Sequence, residues 1–262
     1  MRTIAFRSAA GPRFGIVDET GVFDAGTDLF RLSRGESLGP IEGLELLAPV
    51  DRPSKVIGVG RNYAEHAVET GSPVPTQPQL FGMWANAIVG PGVGVRYPSI
   101  TDQLDYEAEL VVVIGRRAQA VSEARALDYV FGYTCGNDIS ARDLQFGETQ
   151  WIRGKTLDTF APIGPWIVTA DEISDPQSLG IRCIVNGETR QDDTTANMIF
   201  SVAELIAFVS ASITLEPGDV IFTGTPSGVA FGMPEPRYLA VGDRMRVEID
   251  GIGALDNPVV AG

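Results

Sequence analysis

Along most of this chain, apolar and polar residues alternate with a period of two or gather into apolar runs of four to eight residues, the pattern of strands rather than of helices. "TIAFR" and "RFGIVDETGVFDA" predict a strand and a hairpin turning around Glu19 to Gly21, and "DLFRLSRG" then predicts a short helix. After the proline-bearing "APVDRPS", strands are predicted at "KVIGVG", "AELVVVIG", "IRCIVNGETRQD" with an Asn186-Gly187 hairpin turn, "DVIFTGT" and "RMRVEIDGIG". Helical spacing is confined to a few places. "SVAELIAFVSA" opens with Ser201 and Glu204 in capping-box spacing and carries Val202, Leu205, Ile206 and Val209 on one face. "SEARALDYV" and the stretch from Asn62 to Glu69 are two further candidates. The pattern predicts a mainly β (α+β) protein with few helices: a small β-rich N-terminal domain over residues 1–52 and a larger body over residues 53–262.

One strand departs from the ordinary. In "LDYEAELVVVIG" the acids Asp105, Glu107 and Glu109 fall on one face of an extended segment that continues as Val111 and Val113. Either the strand emerges into water there, or the glutamates are buried against a cation. Asp138, just after the strand-like "YVFGYTCG", reads by itself as a turn or N-cap aspartate. Taken with Glu107 and Glu109 it completes a set of three carboxylates, a hard oxygen site suited to Mg²⁺ or Mn²⁺.

Composition narrows the rest. The 262 residues carry a formal net charge of −14 and no basic run interleaved with aromatics, which disfavours nucleic acid as a partner. No apolar run has membrane-spanning length and no N-terminal signal pattern is present, so a cytoplasmic protein is expected. The two cysteines, Cys135 and Cys183, have no metal-type spacing and read as core residues. Of the 20 basic residues only Lys55 and Lys155 are lysines, and His66 is the one histidine. Lysine can lose its proton when desolvated and histidine titrates near neutrality, so in an arginine-using chain these positions are candidates for proton chemistry. Lys55, in a loop after "DRPS", is the weakest of the three. His66 and Glu69 share a helical face, as an oriented base or as an exposed helix contact.

Three common motifs fail. In "GVGRNY" the third glycine of a dinucleotide fingerprint is Tyr63; the glycine a phosphate loop requires before "RGKT" is Thr149; and "TPSGV" lacks the glycines that flank the serine of a nucleophile elbow.

Seven segments in order, "KVIGVGRNYAEHAVETG", "DYEAELVVVIG", "GYTCGNDISARDLQ", "RGKTLDTFAPIGPWIV", "VNGETRQDDTT", "MIFSVAELIAFVSASITLEPGDVIFTGTPSGV" and the closing "VEIDGIGALDN", resemble the fumarylacetoacetate hydrolase superfamily, near its acylpyruvase and 2-hydroxyhepta-2,4-diene-1,7-dioate isomerase group. The resemblance implies a catalytic domain built as a mixed β-roll or β-sandwich, a small N-terminal domain and a homodimer. It implies one Mg²⁺ or Mn²⁺ held by Glu107, Glu109 and Asp138, and a small anionic 2-oxo acid as substrate. Lys155 would touch the reacting carbon, and His66 with Glu69 would activate water from a lid spanning roughly residues 63–78. Arg142, Gln145 and Thr225 would contact the substrate. "LFGMWANAIVGPG" departs from the pattern of many relatives and puts Met83 and Trp84 where a lysine is common, implying a more apolar pocket wall.

All reactions of such a site pass through an enolate, whose charge a dication and its neighbours spread. A dication beside Lys155 would lower its pKa into the working range. Hydrolysis of a C–C bond in an acylpyruvate-like 2,4-dioxo acid leads the expectation. The alternatives are an isomerase or decarboxylase acting on a 2-hydroxyhepta-2,4-diene-1,7-dioate or oxaloacetate type of acid, as in aromatic catabolism, and a catalytically silent metal-binding structural member. Retention of Lys155 in so lysine-poor a chain argues against silence.

Overall fold

The computed structural model describes residues 1–262. Its centre is the strand Ala108–Ile114, every residue of which is buried. A run apolar on both faces can be satisfied only where both faces are covered, and a large twelve-stranded sheet supplies that position. Ala108–Ile114 pairs antiparallel with Val130–Asn137 on one side and with Val220–Phe222 on the other. Val220–Phe222 in turn runs parallel to Val56–Gly60. The start of the central strand, the ends of its two neighbours and the end of Val56–Gly60 therefore meet at one end of the sheet, where the candidate site lies.

A second sheet, in the order Glu188–Thr194, Gly180–Val185, Arg244–Ile249, Gly253–Ala261 and Val95–Tyr97, packs against the middle of the first. One cluster of 49 buried residues joins the two, so the body has a single core. The strands Arg2–Ser8, Gly11–Asp18 and Gly21–Gly26 extend the large sheet through the pairing of Arg2 with Val168, and bring a separate small core of Ile4, Phe6 and Val22. No helix is long and apolar enough to cross a membrane.

The protein is mainly β with short helices, as the pattern predicts. Asn186 and Gly187 occupy the left-handed region at φ 52° and 83°, the geometry of a two-residue hairpin. Ser201 and Glu204 form the capping box of the helix Val202–Ser210. The other two expected helices lie at Ala64–Glu69 and, shorter than the pattern suggests, at Glu123–Ala126, and two short helices outside the pattern, Arg142–Phe146 and Ile152–Lys155, join them. The helix expected over "DLFRLSRG" does not form. Asp28 Oδ1 takes the Phe30 N–H at 2.9 Å in a local turn, and the N–H groups of Ser33 and Gly35 return to the carbonyls of Ala25 and Asp24. An aspartate that satisfies the backbone two residues on competes with helix initiation, and here it prevails.

The acid-bearing strand is also different from its reading. It is not one strand: Leu104–Asp105 leaves the large sheet to pair with Ser140–Ala141, and the sheet resumes at Ala108. Asp105, Glu107 and Glu109 consequently reach the same cluster from two separate strands and the break between them, not from one continuous strand.

Candidate active site

Four buried carboxylates and two buried cations occupy the end of the sheet. Asp105, Glu107, Glu109 and Asp138 are at most 4% exposed, and Arg142 and Lys155 are each 2% exposed. The break at Tyr106 lets Asp105 and Glu107 grip one guanidinium. Arg142 Nε donates to Asp105 Oδ2 at 2.8 Å and its Nη1 to Glu107 Oε1 at 2.6 Å. Asp105 is fixed in turn by the N–H groups of Ala230 and Phe231, so it serves as an anchor for Arg142. Lys155 Nζ donates to Glu107 Oε2 at 2.7 Å and to Asp138 Oδ2 at 2.8 Å. Glu109 Oε2 accepts the Gly224 N–H at 2.7 Å.

The two cations are brought together by a close helix contact. Arg142–Phe146 and Ile152–Lys155 touch where Gly154 lies against Gln145, and a Cβ on Gly154 would come within 2.6 Å of the Gln145 backbone. Any larger residue would push Lys155 away from Glu107.

Glu107, Glu109 and Asp138 each offer an oxygen within 4.8 Å of the others. Set against Arg142 and Lys155, the four carboxylates leave a deficit of two positive charges, the charge of one divalent ion. Asp138 Oδ1 is buried without a hydrogen-bond partner, as a ligand atom reserved for a cation would be. The all-oxygen donor set suits a hard divalent cation, so the residues fit such an ion.

Without a cation the same crowding shows in the acidities. Burial, together with Asp138 and Glu107, holds Glu109 well above the usual carboxylate range. Burial and Glu107 push Asp138 up to about 7, against the pull of Lys155. For Glu107 burial is outweighed by Lys155 and Arg142, and its pKa falls to about 2. Lys155 also behaves as the acids dictate: burial would depress it, but Asp138 and Glu107 carry it above its ordinary value. The lowering expected of Lys155 is thus a property that only a cation competing for those carboxylates would bring.

A narrow cavity of about 30 Å³ opens beside this cluster and is lined by Lys155, Glu107, Arg142, Gln145, Thr225 and His66, together with aromatic residues. The helix Ala64–Glu69 sits over it. His66 is 6% exposed, with Nδ1 2.8 Å from Glu69 Oε1, so the pair is not an exposed helix contact. Glu69 Oε2 takes the Gly228 N–H at 2.9 Å, which ties the helix to the loop after Val220–Phe222. Gln145 Oε1 accepts from Arg142 Nη1 at 3.0 Å. Thr225 reaches the cavity with its hydroxyl proton already given to the Ala108 carbonyl and a lone pair taken by Gln191 Nε2.

The apolar wall is not where the sequence places it. Met83 is a core residue at 4% exposure and Trp84 points outward at 62%; the cavity is walled by Phe81, Phe146 and Trp151. The strand Gln79–Met83 ends before Trp84, which frees the indole from the sheet face. Lys55 pairs with Asp219 away from the cavity, and both cysteines are buried. Four residues join the site that the sequence pattern does not mark as site residues: Arg61 and Trp151 line the cavity, and Asp105 and Gln191 brace Arg142 and Thr225. Only Asp105 carried a signal, as the third acid of its segment.

Residues 55–260 match the family described as fumarylacetoacetate (FAA) hydrolase C-terminal. The chain is 48% identical over 219 residues to the mitochondrial oxaloacetate tautomerase of Xenopus laevis, covering 83% of this chain and 69% of the relative. Among solved structures, a fumarylacetoacetate hydrolase from Exiguobacterium antarcticum superposes with a TM-score of 0.90 at 38% identity over 100% of both chains. A 2-hydroxyhepta-2,4-diene-1,7-dioate isomerase from Mycobacterium marinum gives 0.86 at 40% identity, over 100% of this chain and 98% of that one.

Proposed function

The chain belongs to the fumarylacetoacetate hydrolase family, and on that premise we propose that it moves a proton at the carbon next to the 2-oxo group of a small 2-oxo acid, as a tautomerase or isomerase. The observation that carries this reading is the placement of two proton-bearing groups on one small cavity: His66, tied through Nδ1 to Glu69, and Lys155, held between Glu107 and Asp138. The likeness to an oxaloacetate tautomerase and to a dienoate isomerase supports the same chemistry.

Glu107, Glu109 and Asp138 would hold a divalent cation, Mg²⁺ or Mn²⁺. When bound, it supplies the positive charge that stabilises an enolate oxygen. The chain's own residues do the rest. Glu69, accepting from Nδ1–H, fixes the imidazole tautomer and leaves the Nε2 lone pair as the basic site. Lys155 holds three protons on a compact, desolvated ammonium and can deliver one to carbon or oxygen once its carboxylate partners are engaged elsewhere. Arg142, with Nη2 buried and unpartnered, offers a donor to a carboxylate in the cavity. Burial of Lys155, Arg142 and the acids excludes bulk water and keeps these interactions strong.

C–C hydrolysis of an acylpyruvate-like acid is the second reading. It is favoured by the His66–Glu69 pair, which has the form of a water-activating base. A panel of oxaloacetate, acetylpyruvate and a 2-hydroxy-dienoic diacid, each with Mg²⁺ or Mn²⁺, decides between them. Deuterium exchange or double-bond migration without cleavage supports the first reading, and cleavage products by mass the second.

A further inference from the structure

Two of the three cations on the cavity are held by acids of the protein: Arg142 by Asp105 and Glu107, Lys155 by Glu107 and Asp138. Arg61 is the third, and it is in no ion pair. Its guanidinium carbon lies 5.1 Å from the centroid of the Trp151 ring, a stacking contact that leaves the N–H edge free to meet an anion. Burial lowers its pKa with no carboxylate opposing the shift. A partly buried arginine with an aromatic support and no acid is a site waiting for a negative charge from outside the chain.

The backbone holds the residue in place at a cost. Arg61 ends the strand Val56–Gly60 in the left-handed region, at φ 57°, which a long side chain rarely adopts. The next residue enforces it: Asn62 Nδ2 donates to the carbonyls of Phe200 and Thr223, and its Oδ1 accepts the Phe200 N–H. Gly60 makes room for the support, since a Cβ there would lie 2.5 Å from the Trp151 ring. Phe81 packs edge-on against the same indole at 5.5 Å. The arginine is therefore presented on a rigid mount, with apolar walls on which a charged substrate group has few other partners.

We propose that Arg61 is a specificity residue that receives a second carboxylate, so that the preferred substrate is a 2-oxo diacid rather than a 2-oxo acid with a neutral tail. This rests on the 2-oxo acid reading of the site. The inner end of the substrate faces the Glu107, Glu109 and Asp138 cluster, and the far carboxylate pairs with the Arg61 guanidinium beside Trp151.

Two unreactive ligands test it, N-oxalylglycine and N-ethyloxamate, which share the 2-oxo acid end and differ by the far carboxylate. Calorimetric titration of the Mg²⁺-loaded protein should show N-oxalylglycine binding about tenfold or more tighter than N-ethyloxamate. Arg61→Met, which keeps the unbranched stem over Trp151, should abolish that difference and leave N-ethyloxamate affinity unchanged. Equal affinities in the unaltered protein, or an equal loss of both in Arg61→Met, overturns the role of Arg61 while the 2-oxo acid reading stands. Binding of neither ligand overturns both. If Arg61→Met fails to fold, the comparison in the unaltered protein decides alone.

Discussion

Lys155 donates to only one oxygen of Asp138: Oδ2 lies 2.8 Å from Nζ, while Oδ1 of the same carboxylate is buried with no partner. A half-satisfied buried acid is expensive. It makes sense if Lys155 and a cation share Asp138, each with its own oxygen, and the ligand set is therefore balanced between a proton and a metal.

That balance has a pH dependence. Asp138 rises from 3.8 to about 7 in the fold, and Glu109 also lies well above its ordinary value. For a carboxyl group raised on folding, the unfolded chain ionises first, so stability is lost as pH climbs from the unfolded pKa to the folded one. Glu107, depressed to about 2, acts oppositely, and the stability it contributes is lost as pH falls below its ordinary 4.5. Thermal melts of the chelator-treated protein should accordingly fall between about pH 4 and about pH 7. Mg²⁺ should restore most of the loss, and its binding should release protons, read by calorimetry in buffers of different ionisation enthalpy.

Glu109→Gln separates the proton from the metal. A neutral amide imitates the protonated acid that the crowded site prefers, so the metal-free variant should melt no lower than the unaltered protein at pH 7. Its melting temperature should no longer respond to Mg²⁺. A variant that is destabilised without metal yet still stabilised by it would contradict the assignment of Glu109 as a ligand.

Lys155→Arg keeps the charge but loses a compact, deprotonatable ammonium. It should retain Mg²⁺ stabilisation and lose about 10²–10⁴-fold in proton exchange at the carbon beside the 2-oxo group. His66→Ala discriminates the two readings of the reaction. If water activation is its task, C–C cleavage fails while exchange persists; if it moves the substrate proton, exchange itself falls, which NMR of deuterium incorporation measures.

The helix Ala64–Glu69 is latched by Glu69 to Gly228 and leads into a loop rich in Gly, Ser, Thr and Pro. We expect residues 63–78 to act as a lid. Their hydrogen exchange should slow when oxalate and Mg²⁺ are added, relative to the body, and Glu69→Gln should weaken that protection.

Much of this was legible in local pattern. The apolar run Leu110–Ile114, the Asn186-Gly187 turn and the Ser201–Glu204 box are decided within a few residues, and each formed as the pattern requires. The acids Glu107, Glu109 and Asp138 stand out in the sequence as a candidate hard-oxygen set, and their oxygens do converge. What was hidden is non-local. The break at Tyr106 exists because Leu104–Asp105 finds Ser140–Ala141, and the alternating pattern runs through that break unchanged. Asp28 looked helical until its own side chain satisfied a turn. The Arg61–Trp151 contact depends on a glycine beside a ring from a distant segment, which no periodicity records.

Proton transfer beside a 2-oxo group is tested most directly by the keto–enol interconversion of oxaloacetate. Followed by ultraviolet absorbance with Mg²⁺ present, the protein should accelerate it in proportion to enzyme concentration, with the effect lost on chelation and in Lys155→Arg. A rate indistinguishable from that of Mg²⁺ alone, with the protein folded and metal-loaded, would contradict the account.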